Sequence, residues 1–425
     1  MMPLRLLALS GLSLALSAQE PETFSVHGQS TVVVQGHGAF DSPYAGPNSF
    51  QSRKESRTSF TGTLCLGWRA WSGGELYADA EAAGGQGDSH VLGLAGAPNG
   101  ETYRVGDPEL KVALARLYLR QTWDLGGTAN PVEPDANQLG GTQSSRRLSF
   151  WAGRFAVLDL FDPNAYAHDP RTQFLNWALM GAAAYDYPAD TRGYTWGLAG
   201  ELVMDAWTFR AGSFLEPREA NMLAFDHQVS RAHGELLELQ HDHGSGKVHL
   251  LLFSNHARMG NYREALAQGA PPEVTTTRGP GRTKSGWVVD LEQGLTENLG
   301  AFLRTSRNDG RTETWAFTEA DRSLSGGLQL AGASWGRKDD RVGLAFVENA
   351  LSPDHADYLR AGGSGFLLGD GRLTEGPERI LEAYYALAAG THLTLSLDGQ
   401  RIWNPGYNRD RGPVDLFAAR LHLAF

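Results

Sequence analysis

The 425-residue chain has one cysteine, Cys65. That excludes an intramolecular disulfide framework and any metal site built from several thiolates. Beyond the N-terminal segment, no run of about 18 consecutive apolar residues occurs, so no membrane-crossing helix of the usual kind is encoded. Positive charge is also scarce: 37 Lys and Arg face 48 Asp and Glu, a formal net charge of −11. The basic patch of a nucleic-acid binder is missing, and nucleic acid is not expected as a partner. There is no His-Glu-x-x-His helix motif and no nucleophile elbow with its strand-to-helix context, so catalysis is not expected. Glycine-rich pieces such as GLAGAPNG lack the context of a nucleotide site, and no cofactor is expected.

The first residues, MMPLRLLALSGLSLALSAQE, place Arg5 before an apolar run and small residues after it. This layout predicts a secretory signal peptide over 1–18, cleaved after Ser17 or Ala18, with residues 19–425 as one exported domain. Glycine is plentiful, at 52 residues, and aromatics make up 10% of the chain. The mean hydropathy of −0.33 resembles that of a soluble protein. A transmembrane β-barrel gives the same value, because only alternate residues of each strand face lipid.

Alternation is the dominant pattern. In VDLFAARLHLAF, Phe417, Ala419, Leu421, Leu423 and Phe425 form an apolar face opposite Arg420 and His422. In ELYADAEAA, Leu76, Ala78 and Ala80 oppose Glu75, Tyr77, Asp79 and Glu81. In ALARLYLRQTW, Ala113, Ala115, Leu117 and Leu119 oppose Leu114, Arg116, Tyr118 and Arg120. A period of two marks strands with water on one side. The apolar faces are often Ala or Gly and the polar faces carry clustered charge, which favours a barrel over a sandwich with a large-residue core.

Sixteen such segments can be marked, the first at 24–37 and the last at 414–425. The stretch 176–187 could be a seventeenth, but bacterial single-chain barrels have even strand numbers. With sixteen, long and short connections alternate strictly, as extracellular loops and periplasmic turns do. The long connection 125–145 then falls among the short turns and breaks the rule. The longest connection, 157–192, contains FDPNAYAHDPRTQFLNWALM, whose Phe161, Phe174, Leu175 and Trp177 can bury apolar surface. A loop this long in a compact fold is functional or disordered, and its apolar content argues for a constriction loop folded into the barrel mouth. The fold class is therefore all-β: a transmembrane antiparallel barrel of about 16 strands with long extracellular loops.

GRFAVLDLFDPNAYAHDPRTQFLNWALM, together with GSGFLLGDGRL, ILEAYYAL and the C-terminal DGQRIWNPGYNRDRGPVDLFAARLHLAF, resembles the carbohydrate-selective porin (OprB-type) family. HGQSTVVVQGHGAFDSPYAGPNS, GGELYADAEAAGG and AGAPNGETYRVG are similar too. The resemblance implies a sixteen-stranded outer-membrane barrel that passes sugars by passive, weakly selective diffusion past inward-folded loops. Members of the family's subgroups carry other transport labels, manganese uptake among them, so a divalent-cation or general porin is an alternative. A closed barrel serving as a surface scaffold is another.

A sugar pathway needs donors, acceptors and flat apolar rings at its narrow point. By phase, Glu75, Tyr77, Asp79 and Glu81 form an acidic ladder facing Arg116, Tyr118 and Arg120 on the next strand. These groups either meet solute or pair with one another and stiffen the wall. Glu382, Tyr384, Asp398, Gln400, Arg420 and His422 point inward across the barrel, while Arg154 fits either phase. Within the loop, Asp162 and Asp169 precede prolines and suit a turn-holding role. Arg171, Gln173 and Asn176 are the expected lumen contacts, with Asp169 a further candidate. His241 and His243 lie in a tight turn, where imidazoles are incidental more often than ligating, and no metal site is expected. The expected partners are a small sugar, the lipid bilayer and, through Phe425, the barrel-assembly machinery, with a homo-oligomer left open.

Overall fold

The computed structural model describes residues 21–102 and 108–425. The signal peptide expected over 1–18 lies outside the described residues. Among the described residues, nine strands occupy the first half of the chain: β1 Phe24–His37, β2 Glu55–Trp71, β3 Gly74–Gly85, β4 Lys111–Asp124, β5 Ala129–Val132, β6 Gly141–Ser144, β7 Arg146–Phe155, β8 Thr195–Met204 and β9 Trp207–Leu215. Nine more follow: β10 His233–His243, β11 Gly246–Ala257, β12 Arg282–Gly294, β13 Leu299–Asn308, β14 Arg322–Gly332, β15 Arg337–Ala350, β16 Glu378–Ala388, β17 Leu393–Trp403 and β18 Val414–Ala424. All except β5 and β6 join one closed antiparallel barrel of sixteen strands. Every expected strand is present, with no end displaced by more than four residues. Among the described residues, no helix is long and apolar enough to cross a membrane.

The alternation sets the two faces. Along β18, Phe417, Leu421 and Leu423 are exposed on the outer wall while Arg420 and His422 are buried inside. Trp68, Trp71, Trp123, Trp207 and Trp335 are all exposed and all sit close to the short turns. They form the aromatic girdle that a barrel sets at a membrane interface. Closure brings β18 against β1, from Gln29 with Ala424 to His37 with Leu416. Phe425 continues the seam by exchanging two backbone hydrogen bonds with Gly28. Its ring lies against that glycine, where a Cβ would come within 2.6 Å.

Three local features stand out. A bulge in β4 pairs Asp79 with Arg116 but Ala80 with Leu114, so the strand's phase inverts at Ala115. Ala115 is therefore buried and Leu114 exposed, the reverse of the alternation expected there. The turn between β14 and β15 is a 3-10 segment, Ala333–Trp335, ending on left-handed Gly336. Gly332 to Gly336 has Gly-x-Ser-x-Gly spacing, but a strand follows it, not a helix, so Ser334 sits on no nucleophile elbow. The stretch 176–187 is no strand, in keeping with the even strand count: α1, Trp177–Met180, opens it inside the lumen.

The long connection among the short turns forms a hairpin, β5 paired with β6. Its tip bends into the barrel from the short-turn end. Asn137 Nδ2 donates to Asp79 Oδ2 at 2.9 Å, and the Leu139 amide to the Tyr77 hydroxyl at 3.2 Å. At the other end, the long loops pack together through the short helices α2, Tyr262–Gln268, and α3, Pro353–Arg360. The core thus lies inside the barrel, between its wall and the loops that enter it.

Candidate functional site

Residues 156–194 cross the lumen and are fastened to the far wall by that wall's inward charges. Glu382 on β16 accepts hydrogen bonds from the Leu175 and Asn176 amides, the latter at 3.1 Å. Arg420 on β18 donates to the carbonyls of Pro170 and Gln173. Arg304 on β13 pairs with Asp290 at 2.8 Å and with Asp162 at 3.3 Å, and donates to the Leu179 and Ala167 carbonyls. Loop amides unpaired by secondary structure must find acceptors once buried, and wall carboxylates supply them.

Apolar contacts complete the attachment. Phe174 meets Tyr384 edge-on at 4.9 Å, and Trp177 stacks on Phe317, which in turn stacks on Tyr187. Leu175 packs with Val33 and Ala418 where the barrel closes. Burying each such side chain contributes about 1.5–3 kcal/mol. This is why the apolar half of the loop turns inward.

With the far wall occupied, open space remains on the side of β1–β4, β7 and β18. A cavity of about 800 Å³ opens below the loop, lined by Tyr118, Trp151, Phe155, Arg120 and the Asp135–Gln138 tip. A second, of about 320 Å³, opens above it beside Glu81, Glu101, Tyr187 and Tyr194. Arg116, Asp159, His168, Asp169 and Arg171 line both. The two spaces therefore meet at one ring of five side chains.

The ring is held by its own charges. Arg116 spans Asp79 at 3.1 Å and Asp159 at 2.6 Å. Arg171 Nε lies 2.8 Å from Glu101 Oε1, and Nη2 lies 3.8 Å from Glu81 Oε2. Glu81 also accepts from the Tyr194 hydroxyl at 2.8 Å. Asp169 Oδ1 accepts from the Arg171 amide at 3.0 Å and Oδ2 from the Thr172 hydroxyl at 2.7 Å. Asp169 thus holds its turn and lines the passage at the same time.

The expected site residues separate into three groups. Arg116, Asp169 and Arg171 reach the ring, with Glu81 just above it. Glu75, Tyr77 and Arg120 lie nearer the short turns. Arg120 Nε donates to Glu75 at 2.8 Å and Nη2 to the Tyr77 hydroxyl at 2.9 Å, while Arg69 pairs with Glu75 at 3.0 Å. Asp79 is fully buried beneath Arg116 and Asn137. Here the ladder stiffens the wall.

Gln173 and Asn176 are corrections, since neither lines the cavities. Gln173 Oε1 accepts from the His168 and Asp169 amides and Nε2 donates to the Ala165 carbonyl. Asn176 caps α1 by accepting from the Ala178 amide and donates to Gln400 at 2.9 Å. Arg154, undecided by phase, points inward to Asp190 at 2.7 Å. Sequence reasoning missed Asp159, His168 as a lining group, and Glu101. Asp159 and Glu101 lie outside any alternating segment, so no periodicity marked them.

Comparison with known proteins gives a consistent picture. A model of the carbohydrate-selective porin, OprB family, matches residues 67–425. A structure of OprB from Pseudomonas putida at high pH superposes with a TM-score of 0.72 at 16% identity, covering 95% of this chain and 94% of that one. The outer membrane channel DcaP of Acinetobacter baumannii gives 0.54 at 8% identity, covering 95% and 97%. A search of curated protein sequences finds no match.

Proposed function

This chain belongs to the carbohydrate-selective porin, OprB family, and from that premise we propose that solute is screened at the ring of Arg116, Asp159, His168, Asp169 and Arg171. The protein is an outer-membrane barrel through which sugars diffuse passively, and it is not an enzyme. The observation that carries the assignment of the ring is the meeting of the two cavities at these five side chains.

The chemistry suits a sugar of monosaccharide size. Guanidinium groups offer planar forks of donors and carboxylates offer acceptors, so vicinal hydroxyls can bridge a fixed Arg–Asp pair. Tyr118 and Trp151 line the space below and give the apolar face of a pyranose a surface to slide along. Because each charged group already has a protein partner, a passing hydroxyl replaces no strong bond and is released readily. That balance is what conduction requires.

Liposome swelling with glucose, compared with a disaccharide, tests this reading on wild type, Arg171→Ala and Arg116→Ala. Loss of discrimination between the two sugars is expected in both variants. If neither variant changes the sugar order, the ring assignment is wrong. A cation-favouring pore is the second reading, because Glu81 and Glu101 add acid beside the ring. Reversal potentials that ignore charge would remove it. For Phe425, a residue 68% exposed at the barrel seam, the proposed partner is the barrel-assembly machinery. Normal membrane insertion of Phe425→Ala would count against that.

A further inference from the structure

We propose that His37, Glu55 and Asp88 bind one divalent transition-metal cation, which fastens the 86–102 segment to the outer rim of the β1–β2 pair. His37 ends β1, Glu55 begins β2, and the register sets them directly opposite one another. Asp88 arrives from the loop after β3, at the start of a short 3-10 turn. One ligand atom from each residue lies within 4.8 Å of the other two, and His37 Nε2 is 3.8 Å from Glu55 Oε2. The three residues are 4%, 8% and 0% exposed.

At Asp88 and His37 the polar atoms aimed into this space lack partners. Both Asp88 carboxylate oxygens and His37 Nε2 are buried without a hydrogen bond. His37 Nδ1 lies 2.7 Å from the Gly38 carbonyl, which can only accept, so Nδ1 carries the proton. In the neutral ring Nε2 then presents its lone pair to two carboxylates. A second proton would answer the charge but not the geometry, since 3.8 Å is beyond hydrogen-bond reach. A buried carboxylate without partners, as at Asp88, is costly, and a cation beside it removes that cost.

The surroundings match an outer shell. A ligating imidazole usually donates its other N–H to a carbonyl or carboxylate, as His37 does. Glu55 is oriented by Arg57 at 2.9 Å and by the Ser89 amide and hydroxyl at 2.8 and 3.0 Å. Arg57 neutralises one of the two carboxylates and leaves net negative charge for a dication. Metal–ligand bonds of about 2.0–2.2 Å would draw the three groups together slightly. An imidazole with two carboxylates selects Zn²⁺ and its first-row neighbours over Mg²⁺ and Ca²⁺. The clamped segment also carries Glu101, which grips Arg171, so the cation would steady one side of the ring.

The test is Zn²⁺ titration calorimetry on the chelator-treated, detergent-solubilised barrel. It is run in a His233→Ala/His256→Ala background, which removes the exposed His233–Glu235–His256 cluster on the outer wall. One Zn²⁺ per barrel is expected, at least tenfold weaker in Asp88→Asn and in His37→Gln, with Mg²⁺ not competing. No binding, binding unchanged in both variants, or equal affinity for Mg²⁺ overturns the proposal. If the variants do not fold, X-ray absorption of the one-equivalent Zn²⁺ complex in that same background decides. One imidazole in an N/O shell supports the site, and none or more than one overturns it.

Discussion

Arg171 reaches from the inward loop to Glu101 on a different connection, Nε to Oε1 at 2.8 Å. Two segments 70 residues apart thereby close one side of the ring together. Glu101 is buried and also accepts from the Thr61 hydroxyl, so it is tied to β2 as well as to Arg171. Replacing Arg171 by Ala removes one of the ring's two guanidinium groups and leaves Glu81 and Glu101 facing the passage. The expected outcome is a shift of reversal potential toward cation preference and roughly a twofold rise in single-channel conductance. Planar-bilayer recording in a salt gradient measures both. An unchanged reversal potential would show that Arg171 does not face permeating ions.

Glu382 anchors the loop through two amides, Leu175 and Asn176. In Glu382→Ala both buried N–H groups lose their acceptor, at about 1–3 kcal/mol each. The loop should then sample the open lumen, seen as larger open-channel noise and a lower melting temperature. Glu382→Gln keeps one carbonyl acceptor and should fall between. A quiet Glu382→Ala channel would mean that Arg420 and the packing of Phe174 suffice to hold the loop.

The barrel was legible in the sequence because lipid on one side and water on the other impose a period of two on every strand. Loop alternation then fixed the parity, and all sixteen strands follow. The site was half legible for the same reason. Residues on strands, such as Glu81 and Arg116, inherit their facing from phase, whereas loop residues do not. Asn176 and Gln173 have the polarity of a lumen contact but bond to the loop and wall instead. Composition cannot distinguish the two roles. The inward residues Glu382, Gln400 and Arg420 were placed on the correct face, yet their partners are loop backbone and Asn176, a fact no single strand encodes.

The hairpin of β5 and β6 is the least expected element, and it narrows the space below the ring through Asp135–Gln138. Shortening residues 128–145 to a tight turn should raise conductance while leaving sugar order and ion preference unchanged, because the ring residues stay in place. Asp79 would lose its Asn137 partner but keep Arg116. Swelling rates and reversal potentials on the shortened barrel check this. Altered selectivity would assign part of the screening to the hairpin.

Acid should loosen the outer loops at a defined place. Asp321, fully buried ahead of β14, accepts from His355 Nδ1 at 3.0 Å and from the Ser352 amide at 2.8 Å. Burial alone would raise its pKa, but His355, the Lys284 charge and the Ser352 amide together outweigh burial and hold the carboxyl at about 2, below the usual 3.8. The charged form is therefore favoured in the folded loop. Its contribution, about 2 kcal/mol, is complete above roughly pH 4 and is lost as pH falls through 2. Hydrogen exchange in α3, corrected for the intrinsic rate, should accelerate over that window while the barrel strands stay protected. Asp321→Asn should exchange fast at both ends of it. Equal protection of α3 in the variant and wild type at pH 5 would show that the Asp321–His355 contact does not hold this helix.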